Sequence, residues 1–179
     1  MTIVDSNISK SDPELIESFK GAMGLLSGGV TVITTGRRED ARGLTATAVC
    51  SLSVSPPMML ICVNRTGEAR QAITRSGYFC VNVLSAEDRD VADCFAGRSG
   101  VVGAEKFSST GEWSPIVTGT PALNTSLVAI DCEVSEKVES HTHTIFLGQV
   151  LGVRFHSAEQ TGAPRSPLVY WDRLYRDVH

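Results

Sequence analysis

Between Gly43 and Pro57 apolar and hydroxyl side chains alternate with almost no interruption. Leu44, Ala46, Ala48, Cys50, Leu52 and Val54 take the even positions. Thr45, Thr47, Ser51, Ser53 and Ser55 take the odd ones, with Val49 as the exception. A period of two marks a strand with one face on a core. The pattern predicts a long strand whose apolar even face packs inward. Its other face would present small hydrogen-bonding groups and an approachable backbone, which suits a flat ligand with a polar edge. The plainer reading is a solvated strand face. Such faces usually carry long charged side chains, and none lies between Leu44 and Pro57.

The rest of the chain divides by the same reasoning. Leu15, Ile16, Phe19, Met23 and Leu26 fall at helical spacing behind a capping box at Ser11-Asp12-Pro13-Glu14, and Gly28-Gly29 ends that helix. Val30 to Thr35 is β-branched throughout and predicts a strand, followed by a charged turn from Gly36 to Arg42. Pro56-Pro57 stops the alternating segment. Met58 to Val63 is a continuous apolar run, as in a strand buried on both faces. Gly67 to Thr74 predicts a short helix and Tyr78 to Leu84 a second buried strand. Ser85-Ala86-Glu87-Asp88 opens another capped helix, running to Phe95. Gly97 to Gly119 is rich in Gly and Ser and reads as irregular; loops this long are more often functional than idle. Leu127 to Val138 and Thr144 to Phe155 predict two long strands, with bends or bulges at Gly148 and Gly152. Ser157 to Pro167 reads as a loop and Leu168 to Trp171 as a last short strand.

Strands dominate and no regular strand–helix alternation exists, which disfavours a doubly wound sheet. A closed or split antiparallel barrel with a few peripheral helices fits best. The chain has 179 residues, enough for one domain over 1–179, with residues 1–10 as a flexible N-terminal tail. It is 42% hydrophobic and 20% charged, so a core forms without metal or disulfide staples. The net charge of -4 argues against nucleic acid as a partner. No apolar run approaches the roughly 20 residues that cross a bilayer, and Met1 to Lys10 holds no hydrophobic signal region. The reading is a cytoplasmic protein with no membrane partner. The five cysteines are widely spaced with no C-x-x-C pair, against a disulfide framework or structural zinc. Cys50, Cys62 and Cys80 lie in strand-like runs and read as core packing.

The sequence has no G-x-G-x-x-G, P-loop, H-E-x-x-H or G-x-S-x-G. The second candidate site is Asn64-Arg65-Thr66-Gly67-Glu68-Ala69-Arg70, where a buried strand gives way to a helix. A helix start offers free N–H groups and partial positive charge, and Arg grips phosphate through paired hydrogen bonds. The alternative is a solvated loop with ordinary surface arginines. The third candidate is His141-Thr142-His143. Two residues apart on a strand share a face, so both imidazoles could point one way. No Asp, Glu or Cys at matching local spacing completes a metal site. A surface pair, or one His at a reaction centre, remain the open readings.

In their order and spacing these segments resemble the short-chain NAD(P)H:flavin oxidoreductases, the reductase components of two-component flavin-dependent monooxygenases. The resemblance begins at Phe19 and Met23, runs through Gly29–Thr35 and is densest from Gly43 to Pro57. It continues through Gly77–Leu84, Glu105-Lys106-Phe107, Gly119–Leu123, His143–Gly148 and Pro167–Tyr170. It implies a mainly β, antiparallel Greek-key split barrel of the FMN-binding type that works as a homodimer, with flavin near the interface. It implies FMN or FAD as flavin and NADH as hydride donor, with NADPH left open. Thr45, Ala46, Thr47 and Ala48 match the stretch that meets the isoalloxazine ring, and Ser51 and Ser53 its continuation. Asn64, Arg65, Thr66 and Arg70 fall where the family holds the flavin phosphate. His143 matches the histidine of a Gly-Asp-His motif near the nicotinamide, although His141-Thr142 replace the Gly and Asp here. Tyr175 is a further candidate for that region. The implied reaction is hydride transfer from nicotinamide to flavin, with reduced flavin diffusing to a monooxygenase. The competing reading is a non-enzymatic flavin carrier or electron-transfer module that holds flavin tightly.

Overall fold

A computed structural model describes residues 12–156 and 166–178. Helix α1 (Pro13–Leu25) opens behind Asp12, whose carboxylate accepts the Glu14 N–H at 3.0 Å. Asp12 rather than Ser11 is therefore the cap, because Pro13 takes the first helical position that its fixed φ favours. Ser11, the expected tail over 1–10 and most of the loop expected over 157–167 lie outside the described residues. Strands β1 (Gly28–Gly29), β2 (Thr31–Thr35), β3 (Arg42–Ala46), β4 (Val49–Val54) and β5 (Pro57–Asn64) follow. Then come α2 (Glu68–Ser76), β6 (Tyr78–Val83), α3 (Arg89–Phe95), α4 (Glu105–Ser109), β7 (Trp113–Ser114) and β8 (Ala122–Leu123). The long hairpin β9 (Val128–Ser140) and β10 (His143–Phe155), then β11 (Leu168–Trp171) and β12 (Leu174–Asp177), complete the chain.

Seven strands form one antiparallel sheet in the order β3-β2-β6-β9-β10-β5-β4. Its two edges, β3 and β4, are consecutive in the chain and joined only by Thr47 and Ala48. Three residue steps from Ala46 to Val49 span at most about 11 Å, so the end of β3 and the start of β4 lie close together although they belong to opposite edges. Ile33, Ile61, Val63, Ile73, Phe79, Val81 and Phe146 fill the main core, and burying each such side chain is worth about 1.5–3 kcal/mol. A second core gathers Val30, Leu84, Phe95, Leu123 and Leu168 beneath α3.

The alternating segment is two strands, not one. The Val49 N–H bonds back to the Thr47 carbonyl at 2.9 Å, a three-residue turn that breaks the ladder and resets its phase. Leu44 and Ala46 pack on the main core as expected, but in β4 it is Val49 that packs there. A register shift between Ser51 and Ser53 displaces the strand again. Cys50, Leu52 and Val54, expected to face inward, are exposed. Of the three cysteines read as core, Cys80 is buried, Cys62 is half-buried and Cys50 is not packed.

Smaller differences have local causes. In β5 only Ile61 and Val63 are fully buried, because β5 lies next to the edge strand. The segment Gly97 to Gly119, expected to be irregular, holds α4 and β7. Their Phe107 and Trp113 pack on Phe95 at centroid distances of 5.1 and 5.4 Å and on each other at 5.0 Å. Beyond the expected last strand the chain turns at Asp172 and Arg173, both at positive φ, and pairs β12 with β11. Register shifts occur at Gly148 and Gly152, as their positions predicted.

Candidate functional site

Three clefts share walls on this scaffold. The first, of about 190 Å³, lies among Thr45, Ala46, Thr47, Arg98, Tyr170 and Tyr175. The second, of about 270 Å³, shares Ala96 with the first and adds Gly43, Asn64, Phe95 and Lys106. The third, of about 550 Å³, shares Asn64 with the second and is completed by Arg65, Thr66, Arg70, His141 and Thr142. The three clefts thus adjoin one another in a row from Thr45 and Thr47 to the arginines of the β5–α2 turn.

At one end, Thr45 donates its hydroxyl to the Ala92 carbonyl at 2.7 Å, which ties β3 to α3. Its side chain is therefore committed, and what it offers a ligand is backbone. Thr47 is exposed at the end of β3, with Gly28 against it. A Cβ on Gly28 would lie 3.0 Å from the Thr47 Cβ, so glycine permits that approach. The Ala48 carbonyl accepts from the Cys62 N–H at 3.0 Å, turning Ala48 toward β5. Ser51 and Ser53 continue along β4 and form no part of the three cleft walls. Tyr175 packs edge-on to Tyr170 at 5.7 Å, with the Arg98 guanidinium 5.2 Å from its ring centre. Burial holds the Tyr175 phenol above its usual pKa, against the opposing pull of Arg98.

At the other end, Asn64 folds the chain on itself. Its Oδ1 accepts the Thr66 N–H at 3.0 Å and the Thr66 hydroxyl at 2.9 Å, and α2 follows the N-cap residue Gly67, which brings no side-chain cap. Helix N–H groups are thereby left for an anion. Arg65 is pinned to the hairpin tip: its N–H donates to the Thr142 carbonyl at 2.9 Å and its guanidinium to the His141 carbonyl at 3.1 Å. Arg70, one turn into α2, donates to the Thr144 hydroxyl at 3.2 Å. Glu139 joins the two arginines, 3.3 Å from Arg65 and paired directly with Arg70. Hydrogen bonds from Thr144, then from Arg70, hold its carboxyl below the usual carboxylate range.

His143 opens β10, where it pairs with Asn64 on one side and Ser140 on the other. Its ring is exposed, with Nδ1 2.8 Å from the Thr142 hydroxyl. The structure therefore brings His143 to the Asn64–Arg70 group, and Tyr175 to the Thr45–Thr47 group at the other end of the row. His141 sits at positive φ in the hairpin turn, so the two imidazoles do not share a strand face as their spacing suggested. Among the described residues no three His, Cys, Asp or Glu side chains gather as a metal set. Reasoning from sequence passed over Glu139, Arg98 and Tyr170. Glu139 sits opposite Thr144 in the hairpin register, so a stated turn at His141-Thr142 was the signal that could have found it. Arg98 lies just past the end of α3 and carried no such signal.

Comparison with known proteins identifies the family. The sequence model of the flavin reductase like domain matches residues 23–179. The chain is 36% identical to "FMN reductase (NADH) RutF" of Stutzerimonas stutzeri (strain A1501), over 94% of this chain and 91% of that one. Among solved structures it is similar to BorF, the flavin reductase component of a bacterial two-component tryptophan halogenase, with TM-score 0.80 and 28% identity. That match covers 91% of this chain and 98% of the other. It is equally similar to the NADH:FAD oxidoreductase SgcE6 of Streptomyces globisporus C-1027 in complex with NAD and FAD fragments. There the TM-score is 0.80 and the identity 28%, covering 96% of this chain and 98% of the other.

Proposed function

Because this chain belongs to the flavin reductase like domain family, we propose that it transfers hydride from NADH to a flavin, FMN or FAD, and supplies the reduced flavin to a separate monooxygenase component. The observation that carries this reading is the row of adjoining clefts. It ends on one side at a small-residue backbone edge and on the other at two arginines beside a helix start. That donor set fits a flavin: flat ring, polar chain, terminal phosphate. The flavin, when bound, supplies the hydride-accepting chemistry.

The protein's share is binding and orientation. The backbone of Thr45, Ala46, Thr47 and Ala48 borders the ring edge, where its N–H groups can meet charge that builds up on reduction. Ser51 and Ser53 continue along β4 outside the cleft walls, and we assign them to the flavin only as an extension of this strand. Asn64 shapes the turn that presents the Thr66 N–H side of α2, and Arg65 and Arg70 meet the phosphate. His143 stands at the hairpin tip beside this group, away from the ring end, and is placed to hold NADH through its phosphates rather than its nicotinamide ring. Tyr175 lines the ring end of the row and helps close it over the ring.

We read the protein as one domain with a Greek-key split barrel, acting as a homodimer. Two features support the dimer. Strand β10 runs past its last partner on β5, at Gln149, so residues 150–155 pair on one side only, with β9. Leu52, Val54, Leu151, Val153 and Phe155 are exposed around that free edge. Apolar, half-unpaired strands are seldom left in water. We place its action in the cytoplasm, where NADH is available. Among the described residues no helix is long and apolar enough to cross a membrane. The reading is tested by NADH consumption with FMN, with FAD and with no flavin. Consumption that requires added flavin supports a reductase that treats flavin as substrate. Flavin retained through gel filtration, without NADH turnover, favours the carrier.

A further inference from the structure

We infer that Glu139 sets how tightly the flavin phosphate is held, by cancelling one of the two guanidinium charges that meet it, so that reduced flavin can leave. This rests on the reading of Arg65 and Arg70 as the phosphate site. Glu139 faces Thr144 across the hairpin and accepts its hydroxyl at 2.8 Å. From there its two oxygens hold both arginines, Arg65 at 3.3 Å and Arg70 in a direct hydrogen bond. Glu139 is not itself part of the cleft wall that Arg65 and Arg70 line. It is a positioning residue, acting through them.

The charge balance gives the consequence. Two guanidiniums and one carboxylate leave a single net positive charge at this end of the cleft. A phosphomonoester carries roughly -1.5 to -2 at neutral pH. The site therefore under-compensates its ligand, where two uncancelled arginines would nearly match it. Neither arginine has another acidic partner among the described residues: their remaining side-chain bonds go to the His141 carbonyl and the Thr144 hydroxyl. A carrier gains from full compensation. A reductase that gives up its product does not, because every added pairing slows release.

The test is calorimetric titration of FMN and of riboflavin, which lacks only the phosphate, into the parent and into Glu139→Gln. Glutamine keeps the length and the Thr144 hydrogen bond while removing the charge. FMN should bind about fivefold tighter or more to the variant, the scale of two partly exposed ion pairs no longer competing, and riboflavin affinity should not move. Turnover with saturating FMN should fall as release slows. Glu139→Ala should shift FMN affinity in the same direction, which covers failure of the first variant to fold. If the parent prefers FMN over riboflavin but neither variant binds FMN more tightly, the inference fails and the phosphate site stands. If the parent binds the two flavins alike, the phosphate reading fails and takes the inference with it.

Discussion

Replacing both Leu151 and Val153 with Asp should separate the protomers of the proposed dimer. In the single chain these side chains are 41% and 45% exposed, and nearby Phe155 and Val54 reach 76% and 89%. Fully burying a Leu or Val is worth about 1.5–3 kcal/mol, so covering the exposed share yields about 1 kcal/mol each. A two-fold interface uses each residue twice, giving about 4 kcal/mol of association energy from these two positions. Four carboxylates introduced there add a desolvation cost of several kcal/mol. At about 1.4 kcal/mol per tenfold, the dissociation constant should rise at least a thousandfold. Sedimentation velocity over a concentration series reads this directly. The parent should run at twice the chain mass and the variant at one. A parent that stays monomeric, or a variant that keeps the parent's mass, would rule out this interface.

Three further outcomes follow from the same geometry. His143→Ala should lower NADH-dependent turnover more than it weakens flavin binding, because His143 stands beside the arginine group without belonging to it; unchanged steady-state rates would remove it from the site. Arg65→Ala should weaken FMN binding about tenfold and leave riboflavin binding alone, the loss of one charge-assisted contact; fluorescence titration with both flavins checks this, and equal losses would contradict it. Gly148→Ala should destabilise the fold, since the new Cβ would lie 2.4 Å from Cζ of the buried Phe79 and 3.0 Å from the Cys132 Cβ. Overpacking of that kind costs about 1–3 kcal/mol, or roughly 3–10 °C of melting temperature at this size; a thermal melt matching the parent would show that the core yields there.

What could be read before the fold was known follows a physical line. The β-branched run at Val30–Thr35, the capping box at Ser85–Asp88 and the glycines at 148 and 152 each act locally, and each sits where the residues predicted. The break at Thr47-Ala48 was hidden because that turn uses no Gly, Pro, Asn or Asp, and its flanks keep an unbroken alternation. Turning at Asp172-Arg173 likewise uses positive φ without the Asn-Gly signature, so β12 had no herald. At the site, Arg65 and Arg70 were visible because their spacing sets them at one helix start. Glu139 was not, because its place depends on the pairing of two strands rather than on its neighbours. The outward face of β4 differs for a further reason: an apolar stripe looks the same in sequence whether it packs on the core or lies exposed.

Anaerobic mixing of the purified protein with NADH and excess FMN, following both absorbances, tests the hydride transfer itself. A flavin reductase should bleach FMN one-for-one with loss of NADH, continuing through many turnovers per protein chain. NADH that stays unconsumed with either FMN or FAD would contradict this role, as would bleaching that stops after one equivalent of protein.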